Sequence, residues 1–195
     1  ITWPEGSKAG SHRERGYANG LAAAAITPDP EWVYRGENSL QTGAAGLSHL
    51  LTLPPARRPT AVACVSDLIA VGAMNAAAAA GLHVGRDLAV TGYDDSGLAQ
   101  FLQPPLTSVR QPIAAVGQAL VELLLDQLGD SAAPARGILL KPDLIVRAVE
   151  HDLREARHGV VHPFVLEELA VGIEDHAPRS PGGRDREVGA RTVVV

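Results

Sequence analysis

Between Leu88 and Gln118 the chain reads LAVTGYDDSGLAQFLQPPLTSVRQPIAAVGQ, and no other stretch limits its possible folds so tightly. A short apolar run rich in strand formers stops at Gly92-Tyr93, and two adjacent carboxylates, Asp94 and Asp95, follow at once. Then come a loop with a double proline (Pro104, Pro105), a short LTSV segment and a helical pattern from Pro112. Open α/β sheets place their ligands where buried strands end, in the loops at the carboxyl edge. The stretch therefore predicts a small polar ligand held beside Asp94.

The rest of the chain alternates in the same way. Residues 1–3 read as the tail of a strand and 4–7 as the loop after it. Residues 11–25 form an alanine-rich helical pattern, stopped by Thr27-Pro28-Asp29-Pro30. A short strand is expected over 32–34, then a helix capped by Ser39, running to about Leu51 and ended by Pro54-Pro55. Residues 61–65 read as a buried strand, with Ser66 and Asp67 where a helix N-cap belongs. The helix over 68–80 then ends at Gly81. After the strand over 88–92, a long amphipathic helix over 112–128 carries proline in its first turn, and short strands are expected over 137–140 and 144–146. Strands alternating with helices imply βαβ units, hence an α/β fold with a parallel open sheet flanked by helices.

Composition narrows the function. A chain of 195 residues holds one or two domains and can bury a real core, which must be aliphatic because aromatics make up only 4%. The net charge is −5, with no Lys/Arg-dense stripe before residue 150, so this chain alone lacks the positive surface that gripping nucleic-acid backbone needs. No apolar run approaches the ~20 residues of a membrane span. The single cysteine, Cys64, lies in an apolar run without a partner for a disulfide or metal site, which reads as a buried structural thiol and fits a reducing cytoplasm. A start at Ile1 rather than Met reads as a chain that begins mid-protein.

Enzymatic motifs are missing. There is no G-x-x-x-x-G-K-S/T phosphate loop and no G-x-S-x-G nucleophile elbow. Gly16-Tyr17-Ala18-Asn19-Gly20 lies inside a helical pattern and reads as a packing feature. His158 and His162 stand four apart without a convincing third ligand, so a solvated pair is expected in place of a zinc site. No catalytic residue, metal or cofactor is expected.

Several spaced motifs, taken together, resemble one family. GYDD, PPLTSVRQP and IAAVGQALVELLL look like the effector-binding core of the LacI/GalR transcription factors. So do Val65-Ser66-Asp67-Leu68-Ile69-Ala70-Val71-Gly72, the turn Ala80-Gly81-Leu82-His83-Val84-Gly85-Arg86-Asp87, and Arg13-Glu14-Arg15-Gly16-Tyr17. The resemblance covers roughly residues 1–150. It implies a periplasmic-binding-protein-like, two-lobe domain that is N-terminally incomplete here. Residues 1–110 would belong to its C-terminal lobe, and 111–140 would return to the N-terminal lobe before the last strand crosses back.

The resemblance also implies roles. Asp94 would grip ligand hydroxyls, Arg13 would do the same from the start of a helix, and Asp95 would be structural. Ser66, where many relatives carry Asn, would contact ligand or simply cap the helix with Asp67. Asn38 stands where an aromatic ring often stacks on the effector, and Ile113 replaces another such ring. The ligand would be a sugar or related polar metabolite, sensed by a cytoplasmic regulator whose operator contacts come from a helix-turn-helix absent from this chain. A homodimer surface is expected at Leu68, Val71, Phe101 and Leu102. Leu68, Val71 and Ala78 cannot all face inward on one helical stripe, and Phe101 and Leu102 are large apolar residues on a loop. The competing readings are a transporter's solute-binding protein and, less well supported, an α/β enzyme acting on a sugar-like substrate.

The likeness stops near His151. One helix could lie within 158–172, but Ala177-Pro178-Arg179-Ser180-Pro181-Gly182-Gly183-Arg184 has the composition of a flexible linker, and disorder is the expectation for 151–195.

Overall fold

A computed structural model of the chain describes residues 1–129, 137–147 and 193–194. The expectations placed on the tail, including His158 and His162, the helix within 158–172 and the linker over 177–184, lie outside these residues. Val193–Val194 is described as strand β6, paired in parallel with β4 (Ile138–Leu139).

The main sheet is built from β1 (Ala61–Ala63), β2 (Ala89–Tyr93), β3 (Thr107–Arg110) and β5 (Asp143–Ile145), in that spatial order. β1, β2 and β3 run parallel, and β5 runs antiparallel to β3 with Arg110 opposite Asp143. The open sheet is thus parallel through β1, β2 and β3, as the sequence pattern implied, with β5 added antiparallel at its edge. The chain leaves β3 and re-enters beside the point it left, which reverses its direction. Beyond β1 the opening residues add themselves in the same sense: Val65 N donates to Ile1 O at 3.0 Å, and Thr2 bridges Arg35 in parallel.

Four helices flank these strands: α1 (Lys8–Ala23), α2 (Leu40–Thr52), α3 (Asp67–Ala79) and α4 (Ile113–Gly129). Serines cap the first three. Ser7, Ser39 and Ser66 each accept from a backbone N–H in the first turn, which satisfies a donor the helix cannot pair itself. Gly81 takes φ +76 just after α3, a left-handed conformation that favours glycine.

Two expectations need correction. Residues 32–34 are not a strand. Asp29 accepts from Glu31 N and, with Pro30 in the first turn, closes a short 3-10 turn, Pro30–Trp32, leaving the Tyr34 carbonyl and the Gly36 N–H to bond to Thr2 on either side of Arg35. α1 begins at Lys8, earlier than the alanine pattern suggested, because Ser7 supplies the cap. Arg13 therefore stands in the second turn of α1 and not at its start.

The core lies between the sheet and the α2–α3 pair, where Leu47, Leu50, Ile69, Ala73, Ala77, Val90 and Leu106 are buried. α2 and α3 approach to backbone contact. A Cβ on Gly72 would run into the Leu40 carbonyl, and one on Gly43 into the Ile69 carbonyl. The two helices thus pack as a single block whose N-termini, at Ser39 and Ser66, point to the carboxyl edge of the sheet. α4 is different: Leu120, Val121, Leu124, Leu125 and Leu128 are exposed, and only Ala119 and Leu123 are buried.

Candidate functional site: a polar cluster at the carboxyl edge of the sheet

The four residues singled out from the sequence, Arg13, Asn38, Ser66 and Asp94, meet along the edge where β1 and β2 end. Arg13 reaches across from α1, and its Nη1 donates to the Val65 carbonyl at 2.6 Å. The adjacent Ser66 hydroxyl donates to Asn38 Oδ1 at 2.6 Å while its oxygen accepts from Ile69 N. Ser66 is thus both the helix cap and a bridge to Asn38.

Asp94 follows β2 directly. Its N–H donates to the Val109 carbonyl, and Oδ1 accepts from Gln111 Nε2 at 2.8 Å. The same Oδ1 lies 3.8 Å from Arg13 Nη2, too long for a direct hydrogen bond and close enough for strong attraction. The Asp94 side chain is 42% exposed against 16% for Arg13, so the pair opens to solvent on the acid side.

Aromatic rings hold the guanidinium from two directions. Its central carbon lies 3.6 Å from the Tyr93 ring centre and 4.9 Å from that of Trp3. Burial pulls Arg13 below its ordinary pKa, while Tyr93 and Asp94 oppose the shift. Burial raises the Asp94 carboxyl above its usual range, and Arg13 and Gln111 only partly offset this. An acid destabilised as an ion, facing a fixed cation it does not quite touch, favours a ligand hydroxyl that bonds to both.

Asp95 belongs to a different network. Its N–H donates to Ser108 Oγ, and its carboxylate pairs with Arg110 Nε at 2.6 Å and Arg147 Nη1 at 2.7 Å. Arg147 also donates to the Leu106 carbonyl and, from its backbone, to Thr107 Oγ1. Burial alone would raise the Asp95 carboxyl, but Arg147 and Arg110 together outweigh it and hold the group below the ordinary range.

Two members of this cluster escaped the sequence: Trp3 read as the end of a strand, and Gln111 stood inside the PPLTSVRQP motif with no role assigned. Tyr93 lay inside the GYDD motif without a role assigned. An apolar groove runs from the cluster between α1 and the sheet, lined by Tyr17, Thr91, Tyr93, Val109 and Leu144. The surface residues Leu68 (43% exposed), Leu98 (71%) and Phe101 (72%) are open, whereas Val71 and Leu102 are half-buried. The Cys64 thiol is buried and pushed up to about 11, so it stays protonated. Among the described residues no group of three or more His, Cys, Asp or Glu converges as a metal site would require, and no helix is long and apolar enough to cross a membrane.

Comparison with known proteins agrees with this architecture. The periplasmic binding protein-like domain family matches residues 2–148, and the chain belongs to it as part of an effector-binding region of the LacI/GalR type. The ribose operon repressor of Haemophilus influenzae is 38% identical over 143 residues, which is 73% of this chain and 42% of the repressor. Among solved structures, a regulatory protein of the LacI family from Chloroflexus aggregans is 43% identical with a TM-score of 0.72, over 77% of this chain and 53% of that one. The transcriptional regulator CelR, solved as a complex with cellobiose, is 34% identical with a TM-score of 0.71, over 76% of this chain and 45% of that one. The chain spans less than half the length of the curated relatives it matches.

Proposed function

We propose that this chain is the ligand-sensing part of a bacterial, cytoplasmic transcriptional regulator and that it takes a sugar-like molecule at the carboxyl edge of the sheet. The observation that carries the reading is the Arg13–Asp94 pair: a guanidinium locked by two rings and the Val65 carbonyl, facing a carboxylate 3.8 Å away at a strand end. A donor and an acceptor at that spacing suit neighbouring hydroxyls of a carbohydrate, and the names of the ribose repressor and the cellobiose complex point the same way. Asn38 and Ser66 extend the polar wall.

In this reading α4 belongs to a second lobe, built on its exposed face, that closes over the site, and ligand binding shifts the balance between lobe arrangements. Operator contacts come from a helix-turn-helix outside this chain. The protein acts as a homodimer paired through Leu68, Val71, Phe101 and Leu102, and it is a sensor, not an enzyme. Isothermal titration of the whole protein with D-ribose, cellobiose and a panel of related sugars tests the reading. Binding that is lost in Asp94→Ala supports it, and an absence of saturable binding to any sugar in the panel would defeat it.

A further inference from the structure

Asp67 is the first residue of α3 and is 4% exposed, yet Ser66 and not Asp67 caps the helix. Its carboxylate turns instead beneath the loop that follows β2. Oδ2 accepts from Ser96 N at 2.6 Å, and Oδ1 accepts from Ser108 Oγ at 2.6 Å. The Ser108 oxygen in turn accepts from Asp95 N at 3.0 Å. One buried carboxylate therefore fixes two backbone N–H groups of the loop, one directly and one through a hydroxyl.

The loop needs such support. Asp94 and Asp95 take φ 113 and φ 48, consecutive positive values at residues that are not glycine. Backbone of this kind persists only where its surroundings over-determine it, and it concentrates at ligand sites. Gly92 completes the arrangement, because a Cβ there would collide with Asp67 Oδ1. Hydrogen bonds to an ionised acceptor are stronger than neutral ones, and a burial this complete leaves water little chance to replace them.

We propose that Asp67 is the positioning residue for Asp94: it holds the two-aspartate turn in the conformation that presents the Asp94 carboxylate to ligand. The ligand role of Asp94 is the reading of the preceding subsection; the positioning itself stands on the geometry. Asp67 touches no ligand in this scheme, and its action runs through Ser96, Ser108 and the Asp95 amide.

The test uses two near-isosteric variants of the whole protein, Asp67→Asn and Ser108→Ala, with two readouts. The first needs no ligand. Amide exchange and 1H–15N shifts are followed at residues 94–96, with the amides of α3 as internal control. Exchange at Ser96 in Asp67→Asn, and at Asp95 in Ser108→Ala, is expected to quicken at least ten-fold while α3 keeps its protection. Wild-type exchange and shifts at 94–96 in both variants would overturn the proposal. The second readout is titration with whichever of D-ribose and cellobiose the wild type binds. A ten-fold or greater loss of affinity in Asp67→Asn, with melting temperature little changed, is expected, and wild-type affinity in that variant would also overturn the proposal. If the wild type binds neither of these two nor any other sugar of the panel, the ligand reading fails by itself, and the exchange result still decides whether Asp67 holds the turn.

Discussion

Arg13 Nη2 and Asp94 Oδ1 stand 3.8 Å apart, with the cation fixed on three sides and the anion bonded, among the described residues, to Gln111 and open to solvent. A direct ion pair would close that distance and consume both groups. Here the guanidinium is committed elsewhere, so the remaining attraction is available to a third molecule that bonds to both.

Asp94→Ala and Arg13→Ala are expected to weaken sugar binding by roughly ten-fold to a hundred-fold each. That range corresponds to the ~1.5–3 kcal/mol typical of a charge-assisted hydrogen bond. Operator affinity without ligand should hardly change. Calorimetric titration alongside a DNA-binding assay separates the two effects, and an undiminished sugar affinity in Asp94→Ala would leave that residue with a local role only.

The affinity should also fall in acid, and earlier than an ordinary carboxylate would suggest. Burial raises the Asp94 pKa, so the acceptor is lost at a higher pH than the usual ~3.9. For Asp94 alone, folding stability moves the other way: a raised folded pKa favours the protonated form, and that contribution fades as pH rises through it. Titrations between pH 4 and 7 check this, and an affinity that stays flat down to pH 4 would contradict it.

Asp95 carries the opposite sign. Arg147 and Arg110 depress its carboxyl pKa, so its stabilisation is full above the unfolded value of ~3.9 and is lost as pH falls through the lower folded value. Asp95→Asn should cost about 2–3 kcal/mol at pH 7, because it breaks a nearly buried pair and leaves two arginines short of a partner. Urea unfolding of both proteins at pH 7 and near pH 2 gives the comparison. The gap should shrink in acid, and equal stability at pH 7 would refute the assignment.

Gly72→Ala should destabilise the fold without touching the site chemistry. Its methyl would meet the Leu40 carbonyl, which is backbone and cannot swing aside. Overpacking of this kind costs about 1–3 kcal/mol, or roughly 2–12 °C in melting temperature for a chain this size. Thermal unfolding measures the effect directly.

Val71→Glu should drive the whole protein towards monomer. Leu68 and Phe101 expose apolar surface on either side of that position in the chain, and a two-fold contact would bring two like charges together near its axis. Sedimentation at several concentrations reads the outcome, and an unchanged dimer would remove this surface from the assembly.

Local pattern carried much of this structure. β1, α3 and β2 were legible because each apolar run is bounded by a residue with one strong preference: Ser66 at a cap, Gly81 at a left-handed turn. The failures share a different cause. Residues 32–34 have strand-forming side chains, but the Asp29 cap acts first and closes a 3-10 turn. Asp67 looked like a helix cap because its true partners, Ser96 and Ser108, lie 29 and 41 residues away. The two rings around Arg13 come from positions 3 and 93 and show no spacing that a reader could detect.

The register of β5 carries a mechanical consequence. Since Arg110 lies opposite Asp143, the excursion that includes α4 departs and returns through two neighbouring strands. Anything carried on that excursion is attached by a double tether of narrow width. Gln111, the residue that holds Asp94, is the first residue past β3 on that excursion, so whatever shifts the tether acts at once on the partner of the Asp94 carboxylate.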